Sequence, residues 1–153
     1  KGIFLPKVYD KDFKFKVRCQ AGTYIRKLIF DLGLEFKGAH MKTLRRTSQG
    51  PFTEKESIKI DKLTKKDILS NEEVVKRLKL SIIYVNEIGL DKLKKGQFLK
   101  AQDIEKIEGS VNKDMSTPIF HNKKVVALGK TFFNSDEIKE QDDYVLKPDR
   151  VLG

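Results

Sequence analysis

The sequence predicts an α+β chain in two parts, strand and helix up to about residue 80 and then a small β-barrel over residues 81–153. Three observations carry that prediction. Residues 11–19 alternate apolar and charged side chains, residues 23–33 place apolar side chains at helical spacing, and residues 81–153 hold several short β-branched runs around one helical turn.

The alternation sets Phe13, Phe15, Val17 and Cys19 between charged neighbours, the period of a half-buried strand. Cys19, at its end, reads as a buried small hydrophobe. Gln20-Ala21-Gly22 breaks the strand. Ile25, Leu28, Ile29 and Leu32 then fall at i, i+3, i+4 and i+7, one stripe of a helix, with Thr23 available to cap its start and Gly33 placed to stop it. A loop through Lys37-Gly38-Ala39 leads to a short strand around Met41–Thr47, which ends at Gly50-Pro51. Residues 53–80 are charged with sparse Ile, Leu and Val, a connector of short helices, the clearest being Asn71–Leu78 with Ser70 as cap. Beyond it, Ile82–Val85 reads as a strand, Leu90–Lys95 as a helical turn ended by Gly96, and Val125–Leu128 as a strand. Phe120–Val125 reads as a hairpin turning on Asn122, and Tyr144–Leu146 as a last strand before Lys147-Pro148.

Composition narrows the function. Ten Phe and four Tyr in 153 residues, 39% hydrophobic overall, describe a folded chain rather than a disordered one. No apolar run approaches the roughly 18 residues of a membrane span, and Lys1–Pro6 does not read as a secretory signal. One cysteine and two histidines leave no internal disulfide and no zinc site to expect. A cytoplasmic protein without a metal centre fits. The net charge of +10 invites a polyanion. Residues 1–57 hold 13 Lys and Arg against 6 Asp and Glu, residues 58–80 hold 7 against 4, and residues 81–153 balance at 12 against 12. The charge fits either a nucleic-acid partner or a Lys-rich composition that keeps the protein soluble. If a nucleic acid binds, most phosphate contacts are expected from the first 80 residues, with Lys94-Lys95 and Lys123-Lys124 facing solvent.

The stretch that carries chemistry runs Gly22-Thr23-Tyr24-Ile25-Arg26, Asp31-Leu32-Gly33, Gly38-Ala39-His40, Leu44-Arg45-Arg46-Thr47 and Gly50-Pro51-Phe52. From the residues alone it is a strand, a glycine turn and a helix with an aromatic and an arginine at the junction. Such a ring stacks on a base, and such a guanidinium holds a carboxylate or a phosphate.

In order and spacing these blocks resemble the last catalytic motif of the TruB family, the tRNA pseudouridine synthases, over residues 17–52. The tail Leu146-Lys147-Pro148-Asp149-Arg150-Val151-Leu152 is similar to the end of the bacterial members' PUA-like domain. The resemblance implies that residues 1–80 are the C-terminal part of a mixed-sheet catalytic domain with its connector, and residues 81–153 a PUA-like RNA-binding domain. It implies that Tyr24 packs on the target uracil, that Arg26 pairs with the catalytic aspartate, and that the backbone of Leu44 contacts the flipped base. The activity implied is isomerisation of uridine to pseudouridine at position 55 in the T-arm of tRNA, without metal or cofactor. Arg45 and Arg46 fit either phosphate contacts or a solvated surface, and His40 fits a structural hydrogen bond in the loop.

The chain departs from the family in two ways. Four residues, Leu34–Lys37, separate Gly33 from Gly38, one fewer than is usual. None of its aspartates has the G-x-L-D context of the family's nucleophile, so a fragment is expected, inactive without the N-terminal half of the same protein. Two alternatives stand beside the enzyme: a non-catalytic RNA-binding module on the same scaffold, and the guide-RNA-dependent relative, which shares Gly-Thr-Tyr-Ile-Arg and Gly-Ala-His-Met. The tail and the short C-terminal domain favour the stand-alone type. Geometry adds a condition. Residues two apart on a helix point about 200° from each other, so Tyr24 and Arg26 serve one pocket only if Tyr24 is extended and the helix begins near Ile25.

Overall fold

The computed structural model describes residues 3–9, 12–35 and 38–152, the first of these spans as backbone. Its contacts gather into two compact units, Lys1–Arg46 and Thr47–Gly153. In the first unit, β1 (Ile3–Tyr9) and β2 (Asp12–Val17) pair antiparallel. The alternation predicted this strand, although Lys11 lies outside the described residues. Phe13 and Phe15 share a face of β2, two residues apart, and their rings stack with centroids 5.7 Å apart. The strand ends at Val17, so Cys19 is exposed and not the buried hydrophobe expected of it. Helix α1 (Ile25–Leu34) follows.

The second unit opens with a two-residue hairpin, β3 (Ser48–Gln49) against β4 (Phe52–Thr53), turning on Gly50-Pro51. The strand expected over Met41–Thr47 is therefore displaced. The Gly-Pro pair turns a hairpin rather than ending a strand, and only the two residues on each side of it have a partner to pair with. Short 3-10 turns occupy Glu54–Glu56, Ile60–Lys62 and Lys65–Asp67. Two of them are held by capping boxes, in which Thr53 meets Glu56 and Thr64 meets Asp67. Helix α2 (Asn71–Leu78) is capped by Ser70, whose hydroxyl accepts from the N–H of Glu73 at 3.1 Å. Arg77 donates to Glu73 at 2.9 Å and to Glu56 at 2.8 Å, tying the first turn of the connector to the helix.

The remaining elements are β5 (Ile82–Val85), α3 (Glu87–Lys94), β6 (Leu99–Lys100), β7 (Ile104–Glu108), β8 (Ser116–His121), β9 (Lys124–Thr131) and β10 (Tyr144–Val151). The six strands form one mixed sheet in the order β6-β10-β9-β8-β5-β7, with β5 and β8 parallel and the other pairs antiparallel. Its outer strands β6 and β7 are consecutive in sequence and joined by Ala101–Asp103 alone. Six strands about 4.8 Å apart would set the edges of a flat sheet about 24 Å apart. The four peptide steps from Lys100 to Ile104 reach at most about 14 Å. The sheet must curl until those ends of its outer strands lie within that reach, and the β-barrel expected after residue 80 is built this way. β10 runs on through Lys147-Pro148, with a register shift between Pro148 and Arg150. β6 pairs only with Tyr144 and Leu146, so no neighbour on that side needs the N–H that proline lacks.

Alternation fills the interior. Ala127, Gly129 and Thr131 of β9 are buried and Leu128 and Lys130 between them are not. Ile83, Val85, Leu93, Leu99, Ile119 and Leu146 form the centre of the core, each 0% exposed. Val75 of α2 packs with Phe120 and Val125 outside it, and Glu72 accepts from the N–H of Val125 at 3.0 Å. The division expected near residue 80 thus falls inside the second compact unit. The short link between β6 and β7 is pinned by Asp103, which is 1% exposed and accepts from Lys92 Nζ at 2.7 and 2.9 Å and from the N–H of Lys100 at 2.8 Å.

Removing that carboxylate leaves the ammonium and the N–H without their acceptor. Asp103→Ala is expected to cost about 3 kcal/mol of stability, read as the shift in a urea unfolding curve; a loss under about 1 kcal/mol would show that other contacts close the barrel. The hydroxyl and the N–H of Thr53, and then Arg77, hold the Glu56 carboxyl below its ordinary range. A lowered folded value means stabilisation present above the unfolded value and lost as pH falls through the folded one. Protection of the Thr53 amide from exchange is therefore expected to be constant above about pH 5 and to decline below about pH 4.

Candidate active site

A tight turn sets the geometry of the junction. The carbonyl of Gln20 accepts from the N–H of Thr23 at 3.4 Å, and Gly22, third in the turn, has φ +83°, the left-handed value a type II turn needs there. Glycine adopts it without steric cost. The chain leaves the turn extended, with Tyr24 at φ −85° and ψ 95°, and Ile25 is the first residue of α1. The geometric condition on the pair is met: Tyr24 is outside the helix and Arg26 is within its first turn.

Two local preferences are given up here. The N-cap position falls on Tyr24 and not on the Thr23 expected, and no side chain caps the helix. A Ser, Thr, Asp or Asn there would contribute about 1 kcal/mol. The first turn holds no acidic residue, and Arg26 and Lys27 lie in it, at the positive end of the helix dipole. Lys27 pairs with Asp31 one turn on. Arg26 is exposed, so its guanidinium and the first backbone N–H groups of α1 together form a strongly anion-receptive end. Tyr24 is 81% exposed, its ring free to take a planar partner.

The opposite face of α1 anchors it through Ile29 and Gly33, both buried, with Ile25 and Leu28 half-buried. Gly33 corrects an expectation. It does not stop the helix, which continues to Leu34 with Glu35 as C-cap. A Cβ at Gly33 would lie 2.8 Å from Ala39 Cβ and 2.9 Å from Ala39 Cα, so glycine is present because another stretch of backbone crosses here. The carbonyl of Gly33 accepts from the N–H of Gly38 at 2.7 Å. Phe36 and Lys37, and with them part of the shortened loop, lie outside the described residues. From this crossing residues 38–46 run without regular structure. Lys42 pairs with Asp12 at the start of β2, and that carboxylate raises the Lys42 pKa. His40 is exposed, and the segment is held at Gly33 and Asp12 rather than by the histidine bond expected. Leu44 is 62% exposed, and Arg45 and Arg46 are exposed beside it. The junction thus presents an open ring, an exposed guanidinium at a helix N-terminus and a tethered strip of irregular backbone.

Gly33→Ala is expected to cost about 1–3 kcal/mol, the usual range for overpacking. It should also raise amide exchange at residues 38–44 above that of the rest of the first unit. Unchanged exchange there would mean that the crossing at Ala39 does not hold the segment.

The family model described as tRNA pseudouridylate synthase B C-terminal domain matches residues 26–95. A relative from Methanococcus maripaludis, "Probable tRNA pseudouridine synthase B", is 33% identical over 166 residues, covering 98% of this chain and 50% of its own length. The chain in "Crystal Structure of a Cbf5-Nop10-Gar1 Complex" superposes with a TM-score of 0.77 at 28% identity, over 98% of this chain and 51% of that one. The chain in "Structure of H/ACA RNP bound to a substrate RNA containing 2'-deoxyuridine" gives 0.80 at 28% identity, over 99% and 53%. The chain spans about half the length of the curated relatives it matches.

Proposed function

The chain belongs to the TruB family of pseudouridine synthases, and from that premise we propose that it is the base-receiving and RNA-docking half of an enzyme that converts uridine to pseudouridine in RNA. In this reading Tyr24 packs on the uracil and Arg26 pairs with a nucleophilic aspartate supplied by polypeptide outside these 153 residues. The backbone at Leu44 meets the flipped base, and Arg45 and Arg46 contact phosphate. Residues 81–153 act as the PUA-like RNA-binding domain. The observation that carries the proposal is the extended Tyr24 directly before a helix that begins at Ile25, which frees the ring and the guanidinium to serve one pocket.

The reaction breaks the bond between uracil N1 and the ribose, turns the base, and joins C5 to the same ribose carbon. N1 gains a proton and C5 loses one, so no oxidant or reductant is consumed. Arg26 suits the aspartate because its planar fork holds a carboxylate bidentately and keeps its charge at any working pH. Reaching the base requires extruding it from a folded loop, at roughly a few kcal/mol. The substrate in this reading is uridine 55 in the T-arm of tRNA, and the setting is the cytoplasm. Among the described residues no helix is long and apolar enough to cross a membrane. A second reading, dependence on a guide RNA, is favoured by one observation: the solved chains that match 98–99% of this one come from Cbf5 and H/ACA complexes.

The test combines the chain with the aspartate-bearing half and assays a T-arm transcript for pseudouridine, with and without guide RNA. The chain alone is expected to give no product and the reassembled pair to give it. Arg26→Lys is expected to slow single-turnover conversion by about 10²–10³-fold, the range for losing one positioned charge-stabilising donor. Product only in the presence of guide RNA selects the second reading. No product from halves that fold together in either case leaves an RNA-binding module.

A further inference from the structure

The barrel turns three aromatic rings outward at one place. Phe98 directly precedes β6, Phe132 directly follows β9, and Tyr144 opens β10, the strand that lies between those two. Each ring stands next to an inward residue, Leu99, Thr131 and Val145 in turn, all 0% exposed, so alternation sends the rings to the outer face. The Phe98 ring meets Phe132 with centroids 5.9 Å apart and Tyr144 at 5.8 Å, the latter edge to face at 89°. The N–H of Phe132 donates to the carbonyl of Val145 at 2.9 Å, which sets the spacing of two of the rings. Phe98 and Tyr144 remain 38% and 48% exposed, so the cluster is a surface platform and not part of the core.

Two further features state what such a platform suits. Lys100 Nζ lies 5.5 Å from the centroid of the Tyr144 ring and donates to the carbonyl of Asp142 at 3.3 Å, so the ring already takes a cation. The loop leading into Tyr144, residues 134–143, carries five acidic residues against Lys139, in a chain whose net charge is +10. Among the described residues no lysine or arginine pairs with Asp136, Glu137, Glu140, Asp142 or Asp143. The loop is anchored. Ile138 is buried, the N–H of Ser135 donates to the carbonyl of Val111 at 2.9 Å, and Asp143 accepts from the N–H of Tyr144 at 2.7 Å. Asp142 and Asp143 are the two residues before Tyr144, so the backbone itself sets them beside that ring.

We propose that this platform docks a basic, arginine-bearing segment of a partner protein, with a guanidinium stacked on the Phe98 and Tyr144 rings and paired with Asp142 or Asp143. Arginine fits because its plane lies flat on an aromatic ring while its edge forks to a carboxylate, two contacts that the compact ammonium of lysine does not make together. The carboxylates that draw a basic segment repel phosphate. Charge complementarity therefore selects a cationic polypeptide over RNA and over an anionic membrane surface. This surface owes nothing to the isomerase reading and is tested without it.

The probe is a short peptide of alternating arginine and alanine, titrated into the nitrogen-15-labelled 153-residue chain while amide resonances are followed at low and at physiological salt. The shifts are expected to saturate and to centre on residues 98–100, 132 and 142–145. The same peptide with lysine for arginine is expected to bind at least about threefold more weakly, and with glutamate for arginine not to bind. F98A/Y144A should weaken affinity about tenfold. D142N/D143N keeps a side-chain oxygen to accept from the N–H of Tyr144, and should weaken affinity about fivefold and flatten its salt dependence. Should the aromatic variant fail to fold, the asparagine variant decides alone. Affinity unchanged in a folded variant, equal affinity for the lysine and arginine peptides, or shifts centred elsewhere in the chain overturns the proposal. So does a lack of saturation up to about 1 mM peptide, or a short single-stranded RNA that moves the same resonances at lower concentration.

Discussion

A helix turns its side chains through 100° per residue, and on this the whole junction depends. Two residues separated by one position cannot share a side of a helix. The chain resolves the conflict by ending its extended segment at Tyr24 and beginning its helix at the next residue. The turn on Gly22 makes that possible, because it reverses the chain within four residues and delivers Tyr24 in extended backbone, with only its carbonyl joining the helix by accepting from the N–H of Leu28 at 3.0 Å. The arrangement is locally unfavourable. A tyrosine occupies a position where an oxygen-bearing side chain would cap the helix, and an arginine lies at the positive end of the dipole. A site meant to receive an anion and a planar ring gains from both departures, since an uncapped helix start and an uncompensated guanidinium favour negative charge at one point.

Short connections impose the remaining geometry. The approach of Ala39 to Gly33 fixes where the strip containing Leu44 begins, and the Lys42–Asp12 pair ties it to the start of β2. In the second unit the three-residue link from β6 to β7 compels the sheet to close, and the buried Asp103 holds that link. A few tightly specified contacts thus place long stretches of chain whose own sequences say little about where they go.

This explains what could be read from the sequence and what could not. β2, β5 and α2 lie where periodicity and caps predicted them, whereas α3 begins at Glu87, three residues before the Leu90 expected; the start of α1 lies where the helical period requires if Tyr24 and Arg26 are to act together. Each of these depends on residues within a few positions of one another. β6 has two residues, too few for any period, and exists only because β10 lies beside it. Cys19 looked like the next inward position of a strand that in fact ends at Val17. Gly33 has the look of a helix terminator, because nothing local announces that Ala39 will return against it; the Gly38-Ala39 pair five residues on is the one available signal.

In the isomerase reading, energetics show why more than one RNA-contacting surface is needed. Stacking a base on an aromatic ring contributes about 1–3 kcal/mol, and extruding it costs a few kcal/mol. In the isomerase reading the Tyr24 ring alone does little more than offset that cost. The remainder must come from phosphate contacts spread over the RNA and from the carboxylate opposite Arg26, which attracts the guanidinium most strongly once water has been displaced from between them. An exposed ring and an exposed guanidinium are then the expected state of such a site before its substrate and its aspartate arrive, and tight closure would form only when both are in place.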